Sequence, residues 1–165
     1  MTVGLVAVNF RSNSLLASLM AGLAMQTNGD WRLIVVDNSE SDEEFEGLVR
    51  VARDDHRVRV LCAPQNLGYL NAFGYALNEC DLSDCQWVGL CNMDLEFYDR
   101  EFVQHLSQLN EDALGVVAPA ITAASAGADA NPYLRERPSR ASVLKNLLFF
   151  SSLTIAKFVS PPDRT

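Results

Sequence analysis

The chain reads as an α/β protein built on a mostly parallel sheet with helices on both faces. Three observations predict this. Strand-like apolar runs alternate with segments of helical period over residues 1–120. The strand runs are continuous rather than alternating apolar and polar, which suits strands buried on both sides. Several of them stop abruptly on a short polar cluster, as strands do when they deliver side chains to one edge of a parallel sheet.

Taken in order, Val3 to Phe10 is a valine-rich first strand. Leu15, Leu16, Leu19, Met20, Leu23 and Met25 then recur at helical spacing, with Ser12, Asn13 and Ser14 as cap candidates. Gly29 and Asp30 turn the chain into a second strand, Leu33 to Val36, which ends on Asp37, Asn38 and Ser39. Ser41 with Glu44 forms a capping-box pattern, and a helix with Phe45, Leu48, Val49 and Ala52 facing inward runs to about Asp54. In this reading the acidic run Glu40 to Glu46 is a solvated first turn favoured by the helix dipole. Val58 to Cys62 is the third strand, and after Pro64 come the loop Gln65 to Gly68 and a helix from about Leu70 to Cys80. Trp87 to Cys91 is the fourth strand, followed by Asn92, Met93 and Asp94. A helix from about Asp99 to Leu109 and an apolar strand from Leu114 to Ala118 are expected next. Beyond Ala120 the pattern loosens into an irregular polar stretch, and Lys145 to Val159 reads as an apolar helix ended by Pro161 and Pro162.

With 165 residues, 48% of them hydrophobic, the chain is long enough for one well-filled core. Its formal charge of −8 argues against a general nucleic-acid binder, which needs a surplus of Lys and Arg. The charge is uneven: residues 1–130 carry 7 basic and 19 acidic side chains, and residues 131–165 carry 6 and 2. Cys62, Cys80, Cys85 and Cys91 form no CxxC pair, so zinc and redox motifs are excluded; Cys62 and Cys91 are expected to be buried, reduced thiols. There is neither a secretory signal pattern at Met1 nor an apolar run of spanning length, and a cytoplasmic protein is expected.

Ligands of an open parallel sheet bind beyond the carboxyl ends of its strands. The sequence places Asn9, Phe10 and Arg11 there, then Asp37, Asn38 and Ser39, then Asn66, Leu67 and Gly68, and finally Asn92, Met93, Asp94 and Glu96. A glycine-rich phosphate loop after the first strand is missing, which excludes dinucleotide enzymes and P-loop ATPases; G-x-S-x-G is missing too, and His56 and His105 fall on expected surfaces without a paired nucleophile. An aspartate closing a strand can hold Mg²⁺ or Mn²⁺ on a diphosphate, and Asn92, two positions before Asp94, points the same way in extended backbone. A turn-forming Asn and Asp pair would look the same.

These residues together resemble the family 2 glycosyltransferases of the GT-A fold, notably the rhamnosyltransferase-like group of polysaccharide biosynthesis. The resemblance rests on the first strand, the second strand closing on Asp37-Asn38-Ser39, the loop Asn66-Leu67-Gly68-Tyr69 with Ala72, and the fourth strand leading into Asn92-Met93-Asp94. It implies a three-layer α/β/α, Rossmann-like core over residues 1–120 that binds a UDP or dTDP sugar, with residues 121–165 as a loop and a basic apolar tail. It further implies donor contacts from Asn9, Phe10, Asp37, Asn38, Asn66, Gly68, Asn92 and Asp94, with Asp94 on the Mg²⁺ or Mn²⁺ and Asp37 on the base. The reaction implied is an inverting transfer to a polysaccharide or lipid-linked acceptor.

Two departures stand out. The family's N-x-G-x-x-x-A-x-N loop has Gly74 in its last position here, and nothing after Asp94 clearly supplies the acceptor pocket or an acidic general base. A truncated donor-binding part, weak or inactive in transfer by itself, is therefore expected, with an inactive binding or partner module and a nucleotidyltransferase as alternatives. Arg135, Arg137 and Arg140 before the apolar run Leu147 to Phe158 suit either an interfacial membrane segment across 131–160, at the inner face, or a helix packing on further structure. Such a patch would also favour self-association.

Overall fold

The computed structural model describes residues 2–109 and 115–121. The chain divides into two compact units, Met1–Gly115 and Val116–Thr165. Within the first run β1 (Thr2–Asn9), a single 3-10 turn (Asn13–Leu15), α1 (Leu16–Ala24), β2 (Trp31–Asp37), α2 (Asp42–Ala52), β3 (Val58–Cys62), α3 (Tyr69–Glu79), β4 (Cys85–Cys91) and α4 (Phe102–Ser107). The four strands form one sheet in the order β3-β2-β1-β4, every neighbouring pair parallel.

Alternation of side chains along the strands sorts the core into two layers. Val3, Leu5 and Ala7 of β1 join Trp31, Leu33 and Val35 of β2 on one face, against Leu16, Leu19 and Leu23 of α1, Leu48 and Ala52 of α2 and Val103 of α4. Val6, Ile34 and Val36 face the other way, onto Ala72 and Ala76 of α3. Small residues on α3 let that helix lie close to the sheet, so the described part of this first unit is the three-layer α/β/α arrangement that continuous apolar strands require.

Several elements differ from expectation for identifiable reasons. β2 starts at Trp31, whose ring is 1% exposed beneath the Arg57 guanidinium, 3.7 Å from the ring centroid. The α2 cap is half of a capping box: Ser41 accepts from Glu44 N, but the Glu44 carboxylate turns away to Asn9 and Asn13. Val49 is exposed rather than inward, because only Leu48 and Ala52 fall on the sheet side. α4 is shorter than expected, since the Asp99 carboxylate accepts from Glu101 N and holds the preceding residues in a turn. Residues 115–118 are irregular and Val116 is 86% exposed, so the expected strand Leu114 to Ala118 is not formed there; an apolar run becomes a strand only where a neighbour pairs with it. Cys62, expected to be buried, is exposed at the end of the edge strand β3, whereas Cys91 is buried and its thiol is pushed up to about 12 by that burial. Among the described residues no helix is long and apolar enough to cross a membrane. The basic apolar tail, 131–160, lies outside them.

Candidate functional site

Parallel strands bring all four carboxyl ends to one edge. Asn9 pairs in register with Asp37, Asp37 with Cys62, and Ala7 with Cys91. Asn92 and Asp94 therefore follow directly on the same edge, two strands from Asp37, or roughly 10 Å in lateral spacing.

At the β1–β2 end the polar groups are buried and satisfy one another. Asn9, fully buried, donates through Nδ2 to Asp37 Oδ1 at 2.9 Å, to Ser39 Oγ at 3.1 Å and to Glu44 Oε2 at 3.3 Å, while its Oδ1 accepts from Ser12 N. Asp37 Oδ1 also accepts from Ser39 N. The buried polar side-chain atoms left unpartnered among the described residues are Trp31 Nε1, Gln86 Oε1 and Trp87 Nε1. Asp37 Oδ2 accepts no hydrogen bond from the described residues, and Asp37 as a whole is 2% exposed. Asn38, 3% exposed, ties β2 to the next loop: its Nδ2 donates to Asn66 Oδ1 and its Oδ1 accepts from Leu67 N. Asn66 Oδ1 accepts in addition from Gly68 N.

Asn9 and Asn38, expected to touch a ligand, are thus placed as internal braces. Their amides are engaged within the protein, and what they fix is the position of Asp37 and of the loop 66–68. Gly68 has φ +73°, a conformation open to glycine, and no atom lies within 4 Å of where a Cβ would stand. It begins α3, whose N-terminus has no side-chain cap. Among the described residues, the non-glycine residues with left-handed backbone are Arg11 (φ 53°) and Glu40 (φ 54°), each just past a polar strand end. Arg11 N is held by Ser39 Oγ at 2.8 Å, and its guanidinium lies 5.6 Å from the ring centroid of Phe10, which is 52% exposed.

The β4 end is open. Asn92 and Asp94 are exposed on either side of Met93, which is buried in the core. Tyr69, in the first turn of α3, donates its hydroxyl to Asn92 Oδ1 at 2.6 Å. Burial pushes the Tyr69 phenol up, with Cys91 and Asp94 adding to the effect, so the hydroxyl stays protonated and able to donate. An aromatic body, a short hydrogen bond and a free carboxylate therefore meet at the end of β4.

The model of the family described as glycosyl transferase family 2 matches residues 5–162. The chain belongs to this family. Among solved structures, a mannosyltransferase from Pyrobaculum calidifontis, PcManGT, determined in complex with GDP-Man and Mn²⁺, is similar at 16% identity and a TM-score of 0.52. The match covers 60% of this chain and 29% of that one. Residues 1–349 of S. aureus TarS are similar at 18% identity and a TM-score of 0.54, with 65% and 31% covered. Likeness at this identity shows the fold, the GT-A arrangement, and the chain spans less than a third of either structure. No curated protein matches the sequence.

As a member of this family the chain offers a divalent cation little by itself. Among the described residues no three His, Cys, Asp or Glu side chains come together to hold one. A single exposed carboxylate beside an amide still fits Mg²⁺ or Mn²⁺ whose remaining positions are filled by water and diphosphate oxygens. Tyr69 and Glu44 were not legible as parts of this edge. Tyr69 is read only as a member of the loop Asn66-Leu67-Gly68-Tyr69, with no part at the end of β4, and the Glu44 carboxylate reads as a helix-start charge until β1 is placed beside α2.

Proposed function

We propose that this glycosyltransferase chain is a donor-binding part that takes a UDP or dTDP sugar along the carboxyl edge of its sheet, for inverting transfer to a polysaccharide or lipid-linked acceptor. The observation that carries the proposal is the unequal pair of aspartates: Asp94 exposed at the end of β4, Asp37 buried and braced at the end of β2 through Oδ1, with no described residue donating to its Oδ2. In this reading Asp37 Oδ2 accepts from the base or ribose, and Phe10 and Gly68 border the nucleotide. Asn92 meets the ribose, and Asp94 faces the diphosphate through Mg²⁺ or Mn²⁺. The cation, when bound, offsets charge on the departing diphosphate. In the transfer the acceptor hydroxyl oxygen bonds to the anomeric carbon as the bond from that carbon to the diphosphate oxygen breaks, the diphosphate leaving with the electron pair and the hydroxyl proton passing to water. The Mn²⁺ and GDP-Man named for the Pyrobaculum enzyme support a metal-assisted donor site, and the residue pattern supports the rhamnosyltransferase-like group.

Calorimetric titration with UDP and dTDP, with and without Mn²⁺, tests this. Expected is binding that requires the metal and is lost in Asp94→Ala; no binding of either nucleotide would overturn it. Incubation with labelled nucleotide sugars separates a donor-binding module, which binds without transfer, from an enzyme competent on its own. We also place the protein on the cytoplasmic side of a membrane, with 131–160 as a contact for anionic lipid and for self-association. Co-sedimentation with anionic and neutral liposomes tests the first contact, and sedimentation velocity the second.

A further inference from the structure

We infer that Tyr69 is a positioning residue that turns Asn92 so that its amide N–H₂ faces the donor, with Asp94 beside it to meet the cation. This deepens the donor-site reading and rests on it.

An asparagine at a strand end can present either its oxygen or its nitrogen to a ligand, and the two choices have opposite chemistry: the oxygen would join a cation's shell, the nitrogen would donate to a hydroxyl or phosphate oxygen. Here a neighbour meets the oxygen. The Tyr69 hydroxyl donates to Asn92 Oδ1 at 2.6 Å, so the oxygen is directed at α3 and Nδ2 at the other side. Asn92 is exposed, and no hydrogen bond from its Nδ2 exists among the described residues, so that donor remains for a ligand. The lock is built from the backbone upward. Gly68 gives the chain the left-handed step into α3, the Asn38–Asn66 pair fixes the loop before it, and α3 packs on the sheet through Ala72 and Ala76. Tyr69 therefore stands on a rigid helix start, and Asn92 follows the buried Cys91. A phenylalanine in its place would keep the packing and lose only the hydroxyl.

The test is a double-mutant cycle on UDP affinity, measured by calorimetry with Mn²⁺ present on the full chain, for Tyr69→Phe, Asn92→Ala and both together. Acting through Asn92, Tyr69→Phe weakens UDP binding roughly 3- to 10-fold in the wild-type background, the net worth of one hydrogen bond, and less than about 2-fold when Asn92 is already Ala. An equal loss in both backgrounds overturns the inference, as does no loss in either. A second measurement needs no nucleotide: the side-chain amide resonances of Asn92, assigned by their disappearance in Asn92→Ala, should shift in Tyr69→Phe while the melting temperature holds. An Asn92 amide that Tyr69→Phe leaves unmoved overturns the lock, whatever the chain binds. A wild-type chain that binds neither UDP nor dTDP overturns instead the donor-site reading and Asn92's part in it, so the two failures are distinguishable.

Discussion

The two ends of the candidate site are made of similar residues put to different uses. At the end of β2, Asp37 is 2% exposed and sits in a hydrogen-bonded group with Asn9 and Ser39, close to Glu44. At the end of β4, Asp94 is exposed, and among the described residues the side chain of its neighbour Asn92 is engaged by Tyr69 alone. β2 is an interior strand, so its terminal side chains are roofed by α2 and the loop after β3; β4 has β1 on one side only among the described strands. The difference separates what holds the edge together from what the edge presents. A buried polar network is costly to leave half made, whereas an exposed carboxylate contributes little to folding and is free for a ligand.

The largest expected effect follows from breaking the buried end. Asn9→Ala leaves Asp37, Ser39 and Glu44 without their shared donor and should destabilise the fold by about 3 kcal/mol, measured by urea unfolding. Asp94→Ala should do the reverse: a stability change within about 0.5 kcal/mol, and a loss of at least about 10-fold in Mn²⁺-dependent nucleotide affinity by calorimetry. If both variants lose stability equally, the contrast between the ends is false.

The cysteines sharpen the same comparison with the burial reversed. Cys62, at the β3 end of the edge, should react with a thiol reagent in the native protein near pH 8, and Cys91 only after unfolding, read by mass spectrometry of labelled peptides. Because burial raises the Cys91 thiol to about 12, its contribution to stability is full below the unfolded thiol range and declines as pH rises toward that value.

The smallest effect lies away from the site. Arg57, chiefly by hydrogen bonding, holds the Asp55 carboxyl below its usual value. A depressed carboxyl stabilises the fold above its unfolded value and ceases to as pH falls through the folded one. Asp55→Asn should therefore cost about 0.5 to 1 kcal/mol at pH 7 and nothing near pH 2, by thermal unfolding at each pH.

Much of the fold was legible because its periods are clean. Val58 to Cys62 forms as read, and the α/β/α layering follows from strands with no wet face. Ends that depend on partners were not legible. Trp31 joins β2 because Arg57 covers it, and residues 115–118 stay irregular because an apolar run does not reveal whether a strand lies beside it. The site was legible as a set of strand ends, and its chemistry was not. Asn9, Asn38 and Asn92 are the same residue type in similar settings, yet two brace the edge and one is held open by a tyrosine that is distant in sequence.

The placement of the donor along this edge is tested most directly by amide chemical-shift mapping of the ¹⁵N-labelled chain on addition of UDP with Mg²⁺. The shifts should concentrate at residues 9–11, 37–39, 66–69 and 92–95, and leave the opposite edge, around Trp31 and Arg57, unmoved. Shifts centred on that opposite edge, or none at saturating nucleotide, would contradict it.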